Sequence, residues 1–539
     1  VTLETYETHE MKSFYAFYNI PYATAPTGNH RFKAPLPPPV WWQPLDAVDR
    51  GIICPQPGAF LNMREDCLVA NVFVPNTNET NLPVVINIHG GAYQYGFGNI
   101  EKLTGLVETK NIIVVSFNYR LGVHGFLCLG TEDAPGNAGL KDQVALLRWV
   151  NENIARFGGN PNDVTLLACS AGAGSTDVLM LSGITSGLFN RAIVESGVSF
   201  GAVGVQINPV ENAKTYARLL NFTDVENTTA LEEFYKTASF QEILSRHDAI
   251  TTNPNSVIMF GPCIESDVGQ ERVLDDAPIN IIKRGDYTKV PLLYGFANME
   301  GLMRTGLFEV WRHLMSEDFS NFLPADLGFE SQEEREEVAK TVKEFYFGDQ
   351  DISEQHILAY IDYFTDVLFG YPMLRALTLR VESLNDTIYL YEYSFADENT
   401  PAIAHTDERG ATHCAQSVSV LDEDKTSITE EYRQMKGVMR DIIIFLSRSP
   451  VGLGSALPSW PPADAARSPH MSLGRAVELK GALLPDRAAI WDAIYERHYR
   501  APVPPLVEDD DEPSTDGASS ILIQNSLCSF IVLFYYYLL

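Results

Sequence analysis

Residues 163–174 read DVTLLACSAGAG, an apolar strand pattern that turns through Ser170 directly into small residues and a predicted helix. Such a segment is typical of a nucleophile elbow, in which a serine hydroxyl stands exposed on a strained turn. Strand and helix approach closely there, so the turn needs small residues two positions to either side. Gly172 supplies one, and Ala168 replaces the usual glycine on the other side. The pattern also fits a serine in an ordinary strand-to-helix loop, so the neighbouring segments must decide.

A second turn lies upstream, where the β-branched run 83–88 ends in the sequence HGGAY. Glycines leave the backbone open to the approach of a substrate oxygen. Backbone N–H groups in such a turn stabilise the negative charge that forms when a serine attacks a carbonyl group. By itself the segment fits a glycine turn after a buried strand. Combined with the elbow, it predicts an oxyanion hole whose donors are the N–H groups of Gly91, Ala92 and Ala171.

An attacking serine needs a histidine as base and an acid that orients the histidine. Among eleven histidines we favour His413, in the small-residue loop GATHC, over the rival His405 eight residues earlier. The favoured acid is Glu300, in a loop after a predicted strand, where its carboxylate could hold the imidazole. Glu195, at the end of another predicted strand, is the second candidate.

Further segments extend this pattern along the chain: 18–23 (YNIPYA), 65–68 (EDCL), 118–122 (NYRLG), 136–143 (GNAGLKDQ) and 157–161 (FGGNP). With these blocks in order, residues 12–500 resemble the type-B carboxylesterase and cholinesterase family of α/β-hydrolases. The resemblance implies an α/β fold with a mostly parallel central sheet, flanking helices and helical cap insertions. It also implies that Ser170, Glu300 and His413 are the catalytic triad of a serine esterase that works through an acyl-enzyme.

The resemblance implies a carboxylesterase that acts on small to medium apolar esters, as in the detoxification, hormone-degrading and odorant-degrading branches. The loop between Cys54 and Cys67 has no tryptophan, so a cation–π site for choline is not expected. The alternative is a catalytically silent adhesion protein similar to neuroligins. Unusual residues around the elbow and the histidine favour that alternative: Ala168, Cys169 and Gln416.

The resemblance also implies a disulfide between Cys54 and Cys67, which requires an oxidising compartment. Cys169 and Cys414 each flank a predicted catalytic residue and could lie close together, but we expect them to be buried, unpaired thiols. The remaining cysteines are also expected to be unpaired. Residues 415–417 read AQS where the family commonly has acidic residues, which predicts sparse polar support around the imidazole.

The predicted domain covers residues 1–500, and its strand signals alternate with helical stretches, as expected for a mostly parallel sheet. These signals lie at 83–89, 112–117, 164–168, 192–195 and 290–295. A later helix is predicted over 428–447, with a capping-box spacing between Ser427 and Glu430. The segment 303–385 is predicted to form cap helices. No motif for a nucleotide, another cofactor or a metal is present in the sequence.

The formal net charge of −31 argues against nucleic-acid partners, because phosphate binding needs a basic surface.

Residues 501–516 are rich in proline and acids and predict a solvated stalk. Residues 517–539, a short spacer and an apolar tail, match a signal for a glycosylphosphatidylinositol anchor, with the mature chain ending near Asp516 or Gly517. Sequons fit an extracellular, secreted or cell-surface glycoprotein, at Asn78, Asn221, Asn227 and Asn385. The oligomeric state is not predicted.

Overall fold

The computed structural model describes residues 4–5, 14–58, 60, 62–101, 103–109, 111–247, 253–384, 386–420, 428–448 and 458–506. The sequon at Asn385, the cap residue Ser427 and residues 507–539 lie outside these ranges. None of the described helices is long and apolar enough to cross a lipid bilayer.

One central sheet runs through the described chain. Its strands are β1 (Glu4–Thr5), β2 (Phe14–Pro21), β3 (Val69–Pro75), β4 (Leu82–Ile88), β5 (Ile113–Phe117), β6 (Gly159–Cys169), β7 (Arg191–Glu195), β8 (Leu292–Ala297), β9 (Ile388–Tyr393), β10 (His470–Leu473) and β11 (Val477–Lys480). The spatial order is β1-β2-β3-β5-β4-β6-β7-β8-β9-β10-β11. Neighbours from β5 to β10 are parallel, and the pairs at both margins are antiparallel.

Helices connect the strands and cover the sheet. They are α1 (Thr104–Glu108), α2 (Gly122–Phe126), α3 (Ala138–Asn153), α4 (Ala171–Leu181), α5 (Pro209–Leu219), α6 (Thr228–Thr237), α7 (Phe240–Leu244), α8 (Pro278–Arg284), α9 (Phe308–Glu317), α10 (Gln332–Phe347), α11 (Ile357–Thr365), α12 (Tyr371–Leu384), α13 (Ala415–Val418), α14 (Glu430–Arg448) and α15 (Pro485–His498). The predicted fold class, a mostly parallel sheet flanked by helices, is confirmed. The predicted helix at 428–447 is α14, and the predicted helix-rich segment 303–385 contains α9 to α12.

Helices cover both faces of the sheet, so both faces are buried. Successive side chains of a strand point to opposite sides and therefore enter different apolar clusters. In β4, Val84 and Ile86 enter one apolar cluster and Val85 enters the other. The apolar face predicted for α3 packs into the first cluster, through Leu140, Val144, Leu147, Val150 and Ile154. A third cluster joins α9, α10 and α11 and forms the apolar interior of the cap.

The parallel strands end at one edge of the sheet, and this edge carries the candidate site. Ala168 of β6 pairs with Ile88 of β4, and Cys169 pairs with Glu195 of β7. Residues that follow these strand ends are therefore neighbours in space although they lie far apart in sequence.

Candidate active site

Ser170 stands alone between β6 and α4 with φ 60° and ψ −130°, a conformation that non-glycine residues rarely adopt. Its N–H donates to the carbonyl of Glu195 at 2.9 Å. A Cβ added to Gly172 would lie 2.0 Å from the backbone oxygen of Ile88, so glycine is required there. Ala168, by contrast, is accommodated in the buried strand. The segment therefore has the backbone of an elbow rather than of an ordinary loop.

Three side chains from separate parts of the chain form one line of hydrogen bonds. His413 Nε2 lies 2.9 Å from Ser170 Oγ, and His413 Nδ1 lies 2.5 Å from Glu300 Oε2. Glu300 is fully buried, whereas the His413 side chain is 11% exposed. With the proton on Nδ1, the imidazole donates to the carboxylate and leaves Nε2 free to accept from the serine hydroxyl.

The alternatives from the sequence do not join this line. His405 lies instead beside Glu309, with Nε2 3.3 Å from Oε1. Glu195 accepts hydrogen bonds from the hydroxyls of Tyr391 and Ser417. The structure therefore brings the preferred base and acid to Ser170 and leaves both rivals elsewhere.

A chain of hydrogen bonds supports the carboxylate of Glu300. Glu300 Oε1 accepts from the N–H of Ala297 at 2.7 Å and from the hydroxyl of Ser196 at 2.5 Å. Gln416 Nε2 in turn donates to Ser196 Oγ at 2.6 Å. The Gln416 amide therefore reaches the imidazole only through Ser196 and Glu300, and the prediction of sparse polar support around the imidazole itself stays a prediction. Only tertiary structure brings Gln416, on α13, to Ser196 after β7.

An aromatic ring covers the histidine on one side. The ring of Phe369 stacks on the His413 imidazole with centroids 4.3 Å apart and planes inclined by 21°. Phe369 belongs to a short π-helical turn, Asp366–Gly370, that interrupts the helix between α11 and α12. Such turns occur frequently at functional sites. Sequence reasoning missed this residue because stacking partners carry no local signature.

The glycine turn lies beside Ser170. A Cβ on Gly90 would lie 3.0 Å from the Cβ of Ser170. Gly91 and Ala92 both have positive φ, 109° and 53°, and the carbonyl of Gly91 accepts two backbone hydrogen bonds from the turn that follows. Within the described chain, the N–H groups of Gly91 and Ala92 donate to no partner. Ala171 is the first residue of α4, and the N–H groups in the first turn of a helix have no acceptor within that helix.

Burial shifts the pKa of two groups near this turn and strand edge. It lowers the pKa of His89 to about 4, so this imidazole is neutral at physiological pH, and its ring stacks on Tyr119. Burial also raises the pKa of Glu195 to about 7, although two hydroxyls donate to its carboxylate. Desolvation of the charged form outweighs hydrogen bonding at Glu195.

Three disulfides are present among the described residues. Cys54 is bonded to Cys67, the pairing implied by the family resemblance. The expectation of unpaired thiols is wrong for four others, because Cys128 is bonded to Cys263 and Cys169 to Cys414. These partners are 135 and 245 residues apart, and only the folded sheet brings them together. Cys528 lies outside the described residues.

Three of the four sequons are described, and all three asparagines are exposed: Asn78, Asn221 and Asn227.

Comparison with known proteins agrees with this geometry. The model of the carboxylesterase family matches residues 4–491. A carboxylic ester hydrolase of Bombus ignitus is 34% identical over 431 residues, covering 76% of this chain and 77% of the relative. A juvenile hormone esterase of Heliothis virescens is 34% identical over 410 residues, covering 72% of this chain and 71% of the relative.

A solved structure of juvenile hormone esterase from Manduca sexta, with OTFP covalently attached, superimposes with a TM-score of 0.81 at 28% identity. The match covers 92% of this chain and 97% of that structure. These relatives are esterases, and they give no support to the adhesion alternative. The chain therefore belongs to the carboxylesterase family of α/β-hydrolases, and it is a serine ester hydrolase of the carboxylesterase rather than the cholinesterase branch.

Proposed function

We propose that the protein hydrolyses small to medium apolar carboxylic esters through an acyl-enzyme formed on Ser170. The observation that carries this proposal is the hydrogen-bonded line from Ser170 through His413 to Glu300, next to a turn with unused N–H groups.

In the first half-reaction, His413 Nε2 takes the proton of the serine hydroxyl while Ser170 Oγ attacks the ester carbonyl carbon. The N–H groups of Gly91, Ala92 and Ala171 hold the oxygen that becomes negative. The tetrahedral intermediate then expels the alcohol, which takes the proton from the imidazolium. Glu300 stabilises that imidazolium without itself becoming protonated.

In the second half-reaction, water replaces the alcohol. His413 takes a proton from the water as its oxygen attacks the acyl carbon, and the same N–H groups hold the oxyanion again. Collapse of this intermediate releases the carboxylic acid and returns the proton to Ser170. The substrate enters as an ester and leaves as an acid and an alcohol.

The preference for apolar esters is supported by the cap between Glu300 and His413. Phe369 belongs to the buried apolar cluster of the cap, and its ring reaches the His413 imidazole, beside which the ester would react. Similar proteins include juvenile hormone esterases and a para-nitrobenzyl esterase of Bacillus subtilis. The Bacillus protein is 39% identical over 299 residues, and the matched region covers 53% of this chain and 59% of that protein. The absence of tryptophan between Cys54 and Cys67 supports a preference against choline esters.

The three disulfides fit an extracellular protein. We further propose glycosylation at Asn78, Asn221, Asn227 and Asn385. We also propose that residues 1–500 form the domain, residues 501–516 a stalk and residues 517–539 the signal for a lipid anchor. Release of the protein from cells by a phosphatidylinositol-specific phospholipase is the expected result. Retention at the surface after that treatment would contradict the lipid anchor.

The catalytic proposal is tested with p-nitrophenyl esters of increasing acyl length and the full chain expressed in secretory cells. We expect turnover that depends on acyl length and falls by at least about 10³-fold in Ser170→Ala. Ser186→Ala, at an exposed serine shortly after α4, is the matched control and should retain full turnover. Undiminished hydrolysis by Ser170→Ala, or a folded wild-type protein without activity, would contradict the proposal.

A further inference from the structure

The disulfide between Cys169 and Cys414 links the nucleophile to the base through the backbone. Cys169 is the last residue of β6 and directly precedes Ser170, whereas Cys414 directly follows His413. The Cα atoms of the two cysteines are 6.1 Å apart. One covalent bond therefore joins the neighbours of Ser170 and His413. Ser170 and His413 are themselves 243 positions apart in the sequence.

The segment that carries His413 has little regular structure to hold it in place. In the part of the chain that the structure describes, residues 394–414 contain no helix or strand. The N–H of Ala411 donates to the side-chain oxygen of Asn298, and its carbonyl accepts from the N–H of Met299, at 3.1 Å each. The Gln416 amide donates to Ser196 Oγ. A hydrogen bond of this kind contributes only about 1 kcal/mol net, so these contacts alone hold the segment weakly.

The backbone at Cys414 shows that the segment is held under constraint. Cys414 has φ 59° and ψ 16°, a left-handed conformation at the start of α13. A residue other than glycine keeps this conformation only where its surroundings impose it. The bond to Cys169 is a contact that can impose this conformation on the residue next to His413.

We propose that the Cys169–Cys414 disulfide is a covalent clamp that positions His413 over Ser170, and that esterase turnover depends on its oxidised state. The two cysteines are positioning residues, because neither touches the reacting atoms. The inference rests on the proposed function of Ser170 and His413. It predicts that opening this one disulfide lowers kcat while leaving the sheet and the cap folded.

The clamp is also the disulfide most open to a reductant. Cys54, Cys67, Cys128 and Cys263 are each at most 1% exposed, whereas Cys169 is 6% exposed and Cys414 is half-buried. A thiolate of dithiothreitol attacks Cys414 Sγ, the S–S bond breaks, and Cys169 leaves as a thiolate that takes up a proton. The second thiol of the reagent then displaces Cys414. The reagent is thereby oxidised by two electrons to its cyclic disulfide, and the protein gains two thiols.

The first test is the double variant Cys169→Ala/Cys414→Ala, assayed with p-nitrophenyl acetate and normalised to active sites titrated with an organophosphate. We expect kcat per titrated site to fall about 10- to 100-fold, with KM changed less than about threefold, since displacement of a catalytic group by about 1 Å has effects of this size. A disulfide that only stabilises the fold would instead lower the unfolding temperature and leave kcat per site unchanged. That result would overturn the clamp.

The second test keeps the wild-type sequence. After mild treatment with dithiothreitol, mass spectrometry with a thiol-alkylating reagent should find Cys169 and Cys414 labelled first, together with a matching loss of kcat that reoxidation reverses. The double variant is the control, and its remaining activity should be insensitive to the reagent. Full kcat in wild-type protein with both cysteines alkylated would overturn the clamp. Untreated wild-type protein without activity would contradict the proposed function instead.

Discussion

Ser170 and His413 meet at the same edge of the sheet, but different forces hold them there. Ser170 lies between a paired strand and a helix, and the backbone of this turn fixes the position of its Cβ atom. His413 lies in a segment without regular structure and depends on Glu300, on the ring of Phe369 and on the disulfide at Cys414. Local structure thus positions the proposed nucleophile, whereas tertiary contacts position the proposed base.

The sharpest test of the loop side of this comparison is His413→Ala. Without its base, Ser170 cannot lose its proton during attack, so kcat/KM should fall by at least about 10⁴-fold while the unfolding temperature changes little. Ester turnover and thermal unfolding measure the two effects. His405→Ala, at a partly exposed histidine of the same segment, should retain near-normal turnover. Equal losses in the two variants would contradict the assignment of the base.

The elbow side is tested by Gly172→Ala. Because the added methyl group would lie 2.0 Å from the Ile88 oxygen, α4 must move away from the end of β4, at a cost of about 3 kcal/mol or more in the free energy of unfolding. Urea denaturation and ester turnover should both show the damage. Gly183→Ala, where an added Cβ meets nothing within 4 Å, is the matched control and should change neither quantity much. A stable, active Gly172→Ala protein would show that the elbow tolerates movement.

Glu195 links the two regions, because its backbone accepts from Ser170 and its carboxylate accepts from Ser417. Burial raises its pKa from 4.5 to about 7, so between these values the folded protein binds more protons than the unfolded chain. The raised pKa of Glu195 therefore stabilises the folded protein at low pH, and this stabilisation is lost as the pH rises through about 7. Integrated over the shift, it amounts to at most about 3 kcal/mol.

Glu195→Gln should remove this part of the pH dependence. From about pH 5 to about pH 8, the free energy of unfolding should decline less in the variant than in the wild-type protein. Urea denaturation at several pH values measures the difference, and Glu79→Gln, at an exposed glutamate, should behave like wild type. Parallel pH profiles for wild type and Glu195→Gln would contradict the raised pKa.

The smallest expected effect concerns the ring that covers the imidazole. A stacked pair contributes about 0.5–1.5 kcal/mol, so Phe369→Leu should lower kcat about 2- to 10-fold with little change in the unfolding temperature. Phe345→Leu, at an exposed phenylalanine of α10, should leave kcat unchanged. An unaltered kcat in Phe369→Leu would show that Glu300 and the disulfide position His413 without the ring.

The difference between the two regions also explains what the sequence could predict. The elbow, the glycine turn and the parallel strands follow from patterns within a few residues, and the strand predictions differ from the structure mainly at their ends. The strand predicted at 164–168, for example, begins at Gly159, because Leu82 and Gly159 pair before a shift in register. Short-range patterns do not reveal such irregular pairings.

Apart from Glu300, the partners of the proposed base could not be predicted in the same way. Cys169 and Cys414 are 245 residues apart, and their pairing follows from the order of the strands rather than from their spacing. Ser196 and Phe369 carry no signature of a role at the site, since a serine after a strand and a phenylalanine in a helical segment are ordinary residues. The position of Ser196 after the strand next to β6 was the signal that could have indicated it.

Covalent modification by an organophosphate identifies the attacking residue of the protein. The protein would be treated with diisopropyl fluorophosphate and digested, and its peptides would be analysed by mass spectrometry. We expect a single adduct on Ser170, which is lost in Ser170→Ala and forms far more slowly in His413→Ala because the proposed base is missing. An adduct on another residue, or ester hydrolysis by protein whose Ser170 is fully modified, would contradict this expectation.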